Sequence, residues 1–287
     1  MKYCLLFIFL LLSVFSFSRP KPVSIQGSRL TATGKLINPK GNTLGSRIAV
    51  PAGFERTKDE NGFVTYCRNL PVKRADAPVL LYDGSLKNRQ DVHAAVIDMK
   101  IGKRDLQQCA DAVMRLRSEY LFKQKKYSEI HFKFTSGDEA AYSKYAEGYR
   151  PVFKRNTLSW QKKAAASYSY STFLRYMDLV FSYAGTASLE KELGSVQGFK
   201  NIKPGDVLIK GGFPGHAVMV LDVAVNTRTG EKIYLLSQSY MPAQETHIIK
   251  NPENDKISPW YSTANVGKII TPEWTFLPSQ LKRFNTW

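Results

Sequence analysis

The chain has 287 residues, of which 43% are hydrophobic and 12% aromatic, and its formal net charge is +17. That length and apolar share support a packed core and exclude a disordered chain. The charge favours acidic partners, and the three cysteines are too few for a disulfide scaffold or a cysteine zinc site.

Residues 1–18 read as a signal peptide. Lys2 gives a short positive start, Leu5 to Phe17 is almost wholly apolar, and Ser16-Phe17-Ser18 is a small-x-small cleavage pattern. Cys4 lies inside the apolar run, away from the cleavage point, which argues against a lipid-anchored form. No later stretch is long and apolar enough for a membrane span. The expected location is therefore exported, periplasmic or secreted. The expected partner is an anionic cell-envelope polymer or peptide, not nucleic acid, for which no motif appears. The alternative reading of the charge is a solvated surface that aids solubility.

Residues 19–46 are rich in Pro, Gly, Ser, Thr and Asn and predict a flexible lead-in, with order starting near Arg47. From 47 to 287 the pattern predicts one α+β domain with a mainly antiparallel sheet. Ile48 to Val50 reads as a strand, Phe63 to Leu70 as a short helix stopped by Pro71, and Val79 to Tyr82 as a strand. His93 to Met99 reads as a buried strand. Asp105 looks like a helix cap, and Leu106 to Lys123 has apolar residues at helical spacing, with Cys109 in the first turn. Ile130 to Phe134 predicts a strand and Ala140 to Gly148 a helix. Residues 151–170 read as a linker or surface excursion and mark a candidate subdivision. A strongly apolar helix follows over Ser171 to Tyr183, then a short one over Thr186 to Leu193.

The most informative stretch is Asn201 to Gln238. A Pro-Gly-Asp turn opens a strand, a Gly-rich loop follows, and His216 starts the apolar run Ala217 to Val223. A second apolar run, Ile233 to Leu236, ends in Ser237 and Gln238. The chain closes with aromatic and Pro-rich pieces expected to fold back over the core.

His216 at a strand end is a candidate general base, and Gln238 on the next strand a candidate group to orient it. The competing role for His216 is a hydrogen-bonded structural residue beside a Gly-rich turn. Cys109 is the candidate nucleophile, since backbone amides at a helix start favour a thiolate while Asp105 and Asp111 oppose it. The competing roles for Cys109 are a core residue or a disulfide to Cys67. His93 is another potential partner for the thiol, whereas His131 and His247 look exposed or incidental. No HExxH or similar spacing occurs, so no metal site and no cofactor are expected. Gly211-Gly212 with Gly215 lacks the strand–helix context of a phosphate cradle.

The runs Ile101 to Phe122, Phe181 to Leu193, Gly211 to Ala224 and Leu235 to Gln244 resemble a family of secreted bacterial proteins known only as domain of unknown function 4846. More distantly, about residues 170 to 240 are similar to the NlpC/P60 papain-like wall peptidases. That resemblance rests on the helix, the KPGDVLI run, the loop and GHAVMVLDV. It implies a papain-like sheet in the C-terminal half, with His216 as the catalytic histidine and Gln238 in the third position. It also implies a nucleophile near Ser171, Thr172 or Phe173, where no cysteine stands. A dead site, a hydroxyl substitute, or Cys109 reaching in from the first half are the alternatives. Two functions follow as expectations: an exported cysteine-type amide or ester hydrolase of the cell envelope, or a non-catalytic envelope-binding protein that uses a basic, aromatic cleft.

Overall fold

The structure is a computed structural model and describes residues 36–58, 62–154, 157–264 and 266–286. The signal peptide and most of the lead-in lie outside the described residues. The described residues fall in one compact unit.

Among the described residues, six helices and fifteen strands follow in chain order. They are α1 (Leu44–Arg47), β1 (Glu55–Arg56), α2 (Phe63–Arg68), β2 (His93–Val96), α3 (Cys109–Lys123), β3 (His131–Lys133) and β4 (Glu139–Ala141). Then come α4 (Tyr142–Ala146), the pair β5 (Tyr149–Lys154) and β6 (Thr157–Lys162), α5 (Tyr170–Tyr183) and α6 (Thr186–Glu192). The remainder is β7 (Gly194–Ser195), β8 (Val207–Lys210), β9 (His216–Val225), β10 (Lys232–Gln238), β11 (His247–Ile249), β12 (Tyr261–Ser262), β13 (Ile269–Ile270), β14 (Thr275–Phe276) and β15 (Leu281–Arg283).

The main sheet has nine strands, with the path β2-β11-β10-β9-β8-β15-β7 and with β1 and β12 attached to β9 and β10. Its pairings are antiparallel, so the α+β expectation holds. β9 is central because its run of apolar residues suits burial on both faces. Ala217, Met219 and Leu221 face the larger core, which α2, α3, α5 and α6 also feed. Val218, Val220 and Val223 face a smaller core completed by Tyr234, Tyr261, Ile269 and Phe276. A strand wet on one side would alternate apolar with polar residues; β9 does not, because neither side is wet.

After His216 at its start, the polar residue within β9 is Asp222, fully buried at an irregularity in the β9–β10 register. Arg56 and Arg68 both reach it, each at 2.7 Å, so the sheet is tied through one carboxylate to β1 and α2. The Pro-Gly-Asp turn is braced in a similar way. Gly205 takes a left-handed φ of +91° that favours glycine, and Asp206 accepts from the Lys203 amide and from Arg283.

Several expectations need correction. Packing begins before Arg47: Leu36 and Leu44 are buried, Ala49 N–H donates to the Leu36 carbonyl, and Ile37 bridges Ile48. Residues 151–162 are not a linker, because they form most of the β5–β6 hairpin, in which Tyr149 pairs with Lys162. The helix expected over Ala140 to Gly148 is shortened to α4, since Glu139–Ala141 pair with β3 as a strand. Ile48 to Val50 and Val79 to Tyr82 make only isolated bridges. Among the described residues no helix is long and apolar enough to cross a membrane.

Candidate functional site

Cys109 is the first residue of α3, and its placement depends on how that helix starts. Asp105 does not cap it. The cap is Gln108, whose amide donates to the Asp111 carboxylate at 3.0 Å. Asp105 instead accepts from Ala243 N–H (2.7 Å) and from the Gln108 side chain. Ser239 adds a second tie between the loops, donating to the Gln107 carbonyl at 3.0 Å. These bonds clamp the start of α3 to the segment following β10. α3 is buried along most of its length, and it lies against β9.

His216 is the first residue of β9, opposite Lys210 in the register. A Cβ on Gly215 would collide with the Lys210 and Gly212 carbonyl oxygens and the Thr186 hydroxyl. Glycine at this position lets the chain turn tightly enough to deliver His216 into the interior. The Ala217 amide, next in the chain after His216, faces the Cys109 thiol. The structure thus brings the first residues of α3 and β9 together.

Gln238 ends β10. Its Oε1 lies 3.1 Å from His216 Nε2. Its Nε2 donates to Glu273 at 2.6 Å and lies 3.3 Å from His247 Nε2. His247 Nδ1 is 2.8 Å from the Glu245 carbonyl, which can only accept. One assignment satisfies every contact. His247 carries its proton on Nδ1 and accepts at Nε2. Gln238 gives one N–H to His247 and one to Glu273. Its carbonyl oxygen then accepts from His216 Nε2–H. The Nδ1 of His216 is left with its lone pair. Beyond Glu273, Lys87 closes the series with an ion pair at 2.5 Å.

Tyr240, Trp274 and Phe276 surround the His216 ring, with centroids 4.8, 5.4 and 5.8 Å away. This apolar cover explains the resting electrostatics. Burial lowers the His216 pKa to about 4, and the Gln238 bond only partly offsets it. Burial, then the charge of Asp111, raises the Cys109 pKa to about 11 against the opposing pull of the Ala110 and Ala217 amides. At neutral pH the pair therefore rests as thiol and neutral imidazole. The Cys109 side chain is nearly closed off, at 8% relative exposure.

The other candidates fall elsewhere. Cys67 is buried in α2 and is not joined to Cys109. His93 on β2 sits 3.2 Å from the Ala77 carbonyl and packs edge-on against His247, with 6.1 Å between ring centroids. Ser171 and Thr172 belong to a hydroxyl cluster with Ser167 and Ser169 at the start of α5. His131 lies near Glu139 on the β3–β4 pair. His247 is neither exposed nor incidental: it is fully buried and touches Gln238. With Glu273, Lys87 and Tyr240 it completes the site. Local sequence carries no sign of these four, because His247, Glu273 and Tyr240 meet His216 or Gln238, and Lys87 meets Glu273, only through tertiary contact. Among the described residues no cluster of His, Cys, Asp or Glu has metal-site geometry.

A groove of about 1000 Å³ lies elsewhere. It runs along the side of α3 that carries Arg115, Glu119 and Phe122, and neither Cys109 nor His216 lines it. The His216–Gln238 pair lies outside this groove.

A model of the family described as "Domain of unknown function (4846)" matches residues 44–283. The chain belongs to this family. No curated protein and no solved structure matches it. For this family member the match runs from the start of α1 to the end of β15. It therefore takes in Cys109, His216, Gln238 and the residues that brace them.

Proposed function

We propose that the protein is a cysteine-type amide or ester hydrolase of the cell envelope, with a papain-like, NlpC/P60-like arrangement of its site. The observation that carries this reading is that Cys109, at a helix start, faces the Ala217 amide on β9, next in the chain to a His216 whose ring is oriented by Gln238. In the reaction, His216 Nδ1 accepts the Cys109 proton as the sulfur attacks the substrate carbonyl carbon. The tetrahedral adduct collapses when the imidazolium returns that proton to the leaving amine or alcohol, leaving a thioester. Water, deprotonated by His216, then attacks the thioester carbonyl, and the departing sulfur recovers the proton. Gln238 holds the ring throughout. As a neutral amide it stabilises the imidazolium less than a carboxylate would. The exported location rests on the amino-terminal apolar stretch.

Thioester formation is the test. Intact-protein mass spectrometry after addition of p-nitrophenyl acetate should find one acetyl group per chain, located on Cys109. The adduct should disappear in Cys109→Ala and fall sharply in His216→Ala. Equal acylation of the His216→Ala protein would remove the imidazole from the mechanism.

The groove along α3 supports a second reading, a non-catalytic envelope-binding protein. Tyr66, Phe122, Tyr127 and Tyr170 give it aromatic walls, and Lys100 and Lys125 stand at its rim. That composition suits an anionic glycan or peptide. Retention on purified wall material by the Cys109→Ala chain, lost on Tyr66→Ala and Tyr170→Ala substitution, would favour it.

A further inference from the structure

We infer that the groove along α3 is a site for an acid-bearing oligosaccharide. Its volume, about 1000 Å³, lies at the upper end of the roughly 300–1,000 Å³ typical of ligand sites and leaves room for several sugar rings. A pyranose ring offers apolar C–H faces and an edge of hydroxyls, so it is held by flat aromatic faces and by planar polar groups. The groove has both on neighbouring residues. Tyr170 is 48% exposed, yet it is pinned at its hydroxyl, which donates to Glu119 Oε1 at 2.7 Å and accepts from Arg115 Nη2 at 3.2 Å. Its ring is braced by Phe122 and Phe173, with centroids 5.7 and 5.8 Å away. An exposed aromatic ring held this firmly has its binding conformation built in before a ligand arrives. Tyr66 is packed against Phe63 and Tyr120 and also lines the groove.

The polar groups belong to the same cluster. Arg115 is only 5% exposed and is engaged by Glu119, Gln107 and Tyr170. Glu119 takes both of these bonds on Oε1, which leaves Oε2 for a ligand hydroxyl, and Asn69 also lines the groove. A buried ion pair gives a fold little that apolar residues of the same size would not give; here it fixes the carboxylate and the Tyr170 ring. The charge of the lining points to the acid groups on the sugar. Arg115 and Glu119 neutralise each other, and Asp178 is met by Arg104. Of the other charged lining residues, Lys100, Lys123 and Lys125 outnumber Asp98. A peptide fits less well. Among the described lining residues none lies in a strand, so an extended chain finds no sheet edge to pair with. The charged residues of the lining break up the apolar trough that an amphipathic helix needs.

The site rests on the second reading above, that the groove binds a ligand, and commits to a glycan where that reading leaves a peptide open. It needs no turnover, so the test uses the Cys109→Ala chain. The probe is an array of immobilised oligosaccharides, some neutral and some bearing carboxylate, phosphate or sulfate, with polyglutamate as the control for charge alone. Titration calorimetry then follows the best binder in solution. The expected result is binding confined to acid-bearing glycans, and the spots that bind identify the acid group. Affinity should fall roughly tenfold in Tyr170→Ala and less in Tyr170→Phe, which keeps the ring and loses the bonds that pin it. Lys100→Gln with Lys125→Gln, both at exposed positions, should weaken the preference for acid-bearing over neutral glycans with Tm unchanged. Binding to no glycan, equal binding to polyglutamate, or unchanged affinity in Tyr170→Ala would overturn the site. Equal binding of neutral and acid-bearing glycans would overturn its acidic preference. Wall retention that depends on Tyr66 and Tyr170, yet is competed by none of the acid-bearing glycans, would leave the second reading standing and overturn the glycan site alone.

Discussion

Gln238 donates an amide hydrogen to Glu273 at 2.6 Å, and through that bond the orientation of His216 depends on a residue from the far end of the chain. Glu273 is in turn held by Lys87, whose side chain is only 6% exposed. Removing one partner of such a pair leaves an unmatched buried charge, whereas replacing both with apolar groups does not. Glu273→Ala should therefore destabilise the fold by about 3 kcal/mol, and Lys87→Met with Glu273→Leu by much less, as read by urea unfolding. Imidazole ¹⁵N shifts should report His216 protonated at Nε2 in the parent and a mixture of tautomers in Glu273→Ala. An unchanged His216 spectrum in that variant would show that Glu273 does not set the ring.

Cys109 and Cys67 should react differently. Burial holds the Cys109 thiol near a pKa of about 11, and the thiolate is the reactive form. Alkylation by iodoacetamide in native conditions should be slow at pH 7 and accelerate steadily as pH rises toward that value. Cys67, fully buried within α2, should stay unmodified in the same samples. Peptide mapping across a pH series measures both. Fast, pH-independent labelling of Cys109 at neutral pH would mean a preformed thiolate and would contradict the neutral resting pair.

Local signals in the sequence carried the second half well. The Pro-Gly-Asp turn, the apolar run after His216 and the placement of Gln238 all depend on neighbours in the chain, and β8, β9 and β10 follow them. Cys109 at a helix start was legible from spacing, although the true cap is Gln108 because Asp105 is drawn away to Ala243. What local pattern could not supply was the partner of each element. The β5–β6 hairpin reads as a linker or surface excursion because basic residues mask a short alternation, in which Leu158 and Trp160 pack against the main core. His247 looked incidental because the features that make it part of the site, full burial and the Gln238 contact, come from β10 lying beside β11.

Asp222 offers a test of the sheet's attachment to β1 and α2. Its carboxylate is fully buried and receives Arg56 and Arg68. Asp222→Ala deletes the shared acceptor and leaves two guanidinium groups facing β9, each about one quarter exposed or less. Partial access to water softens the loss, so a cost of about 3 kcal/mol is expected. Hydrogen exchange should then locate the loosening at β1 and α2, with β10 and β11 protected as before. Uniform loss of protection would show that Asp222 supports the whole core.

Asp111 should set the alkaline side of the stability profile. Burial raises its pKa to about 8 from an ordinary 3.8, so the folded chain keeps the proton over a range where the unfolded chain has released it. Stability from this group is present below pH 4 and is lost as pH rises toward 8. His216 and His247 act in the opposite direction. Burial depresses them to about 4 and about 3, so the unfolded chain binds more protons below pH 6.5 and their contribution is lost as pH falls. The Asp111→Asn protein keeps an oxygen acceptor for the Gln108 amide but cannot ionise. Its Tm advantage over the parent should be near zero at pH 4 and grow through pH 8, while the acid limb stays the same in both. Asp111→Asn should also hasten Cys109 alkylation above pH 8, since the Asp111 charge is the second cause of the raised thiol pKa. A Tm difference that does not change with pH would show that Asp111 stays ionised in the fold.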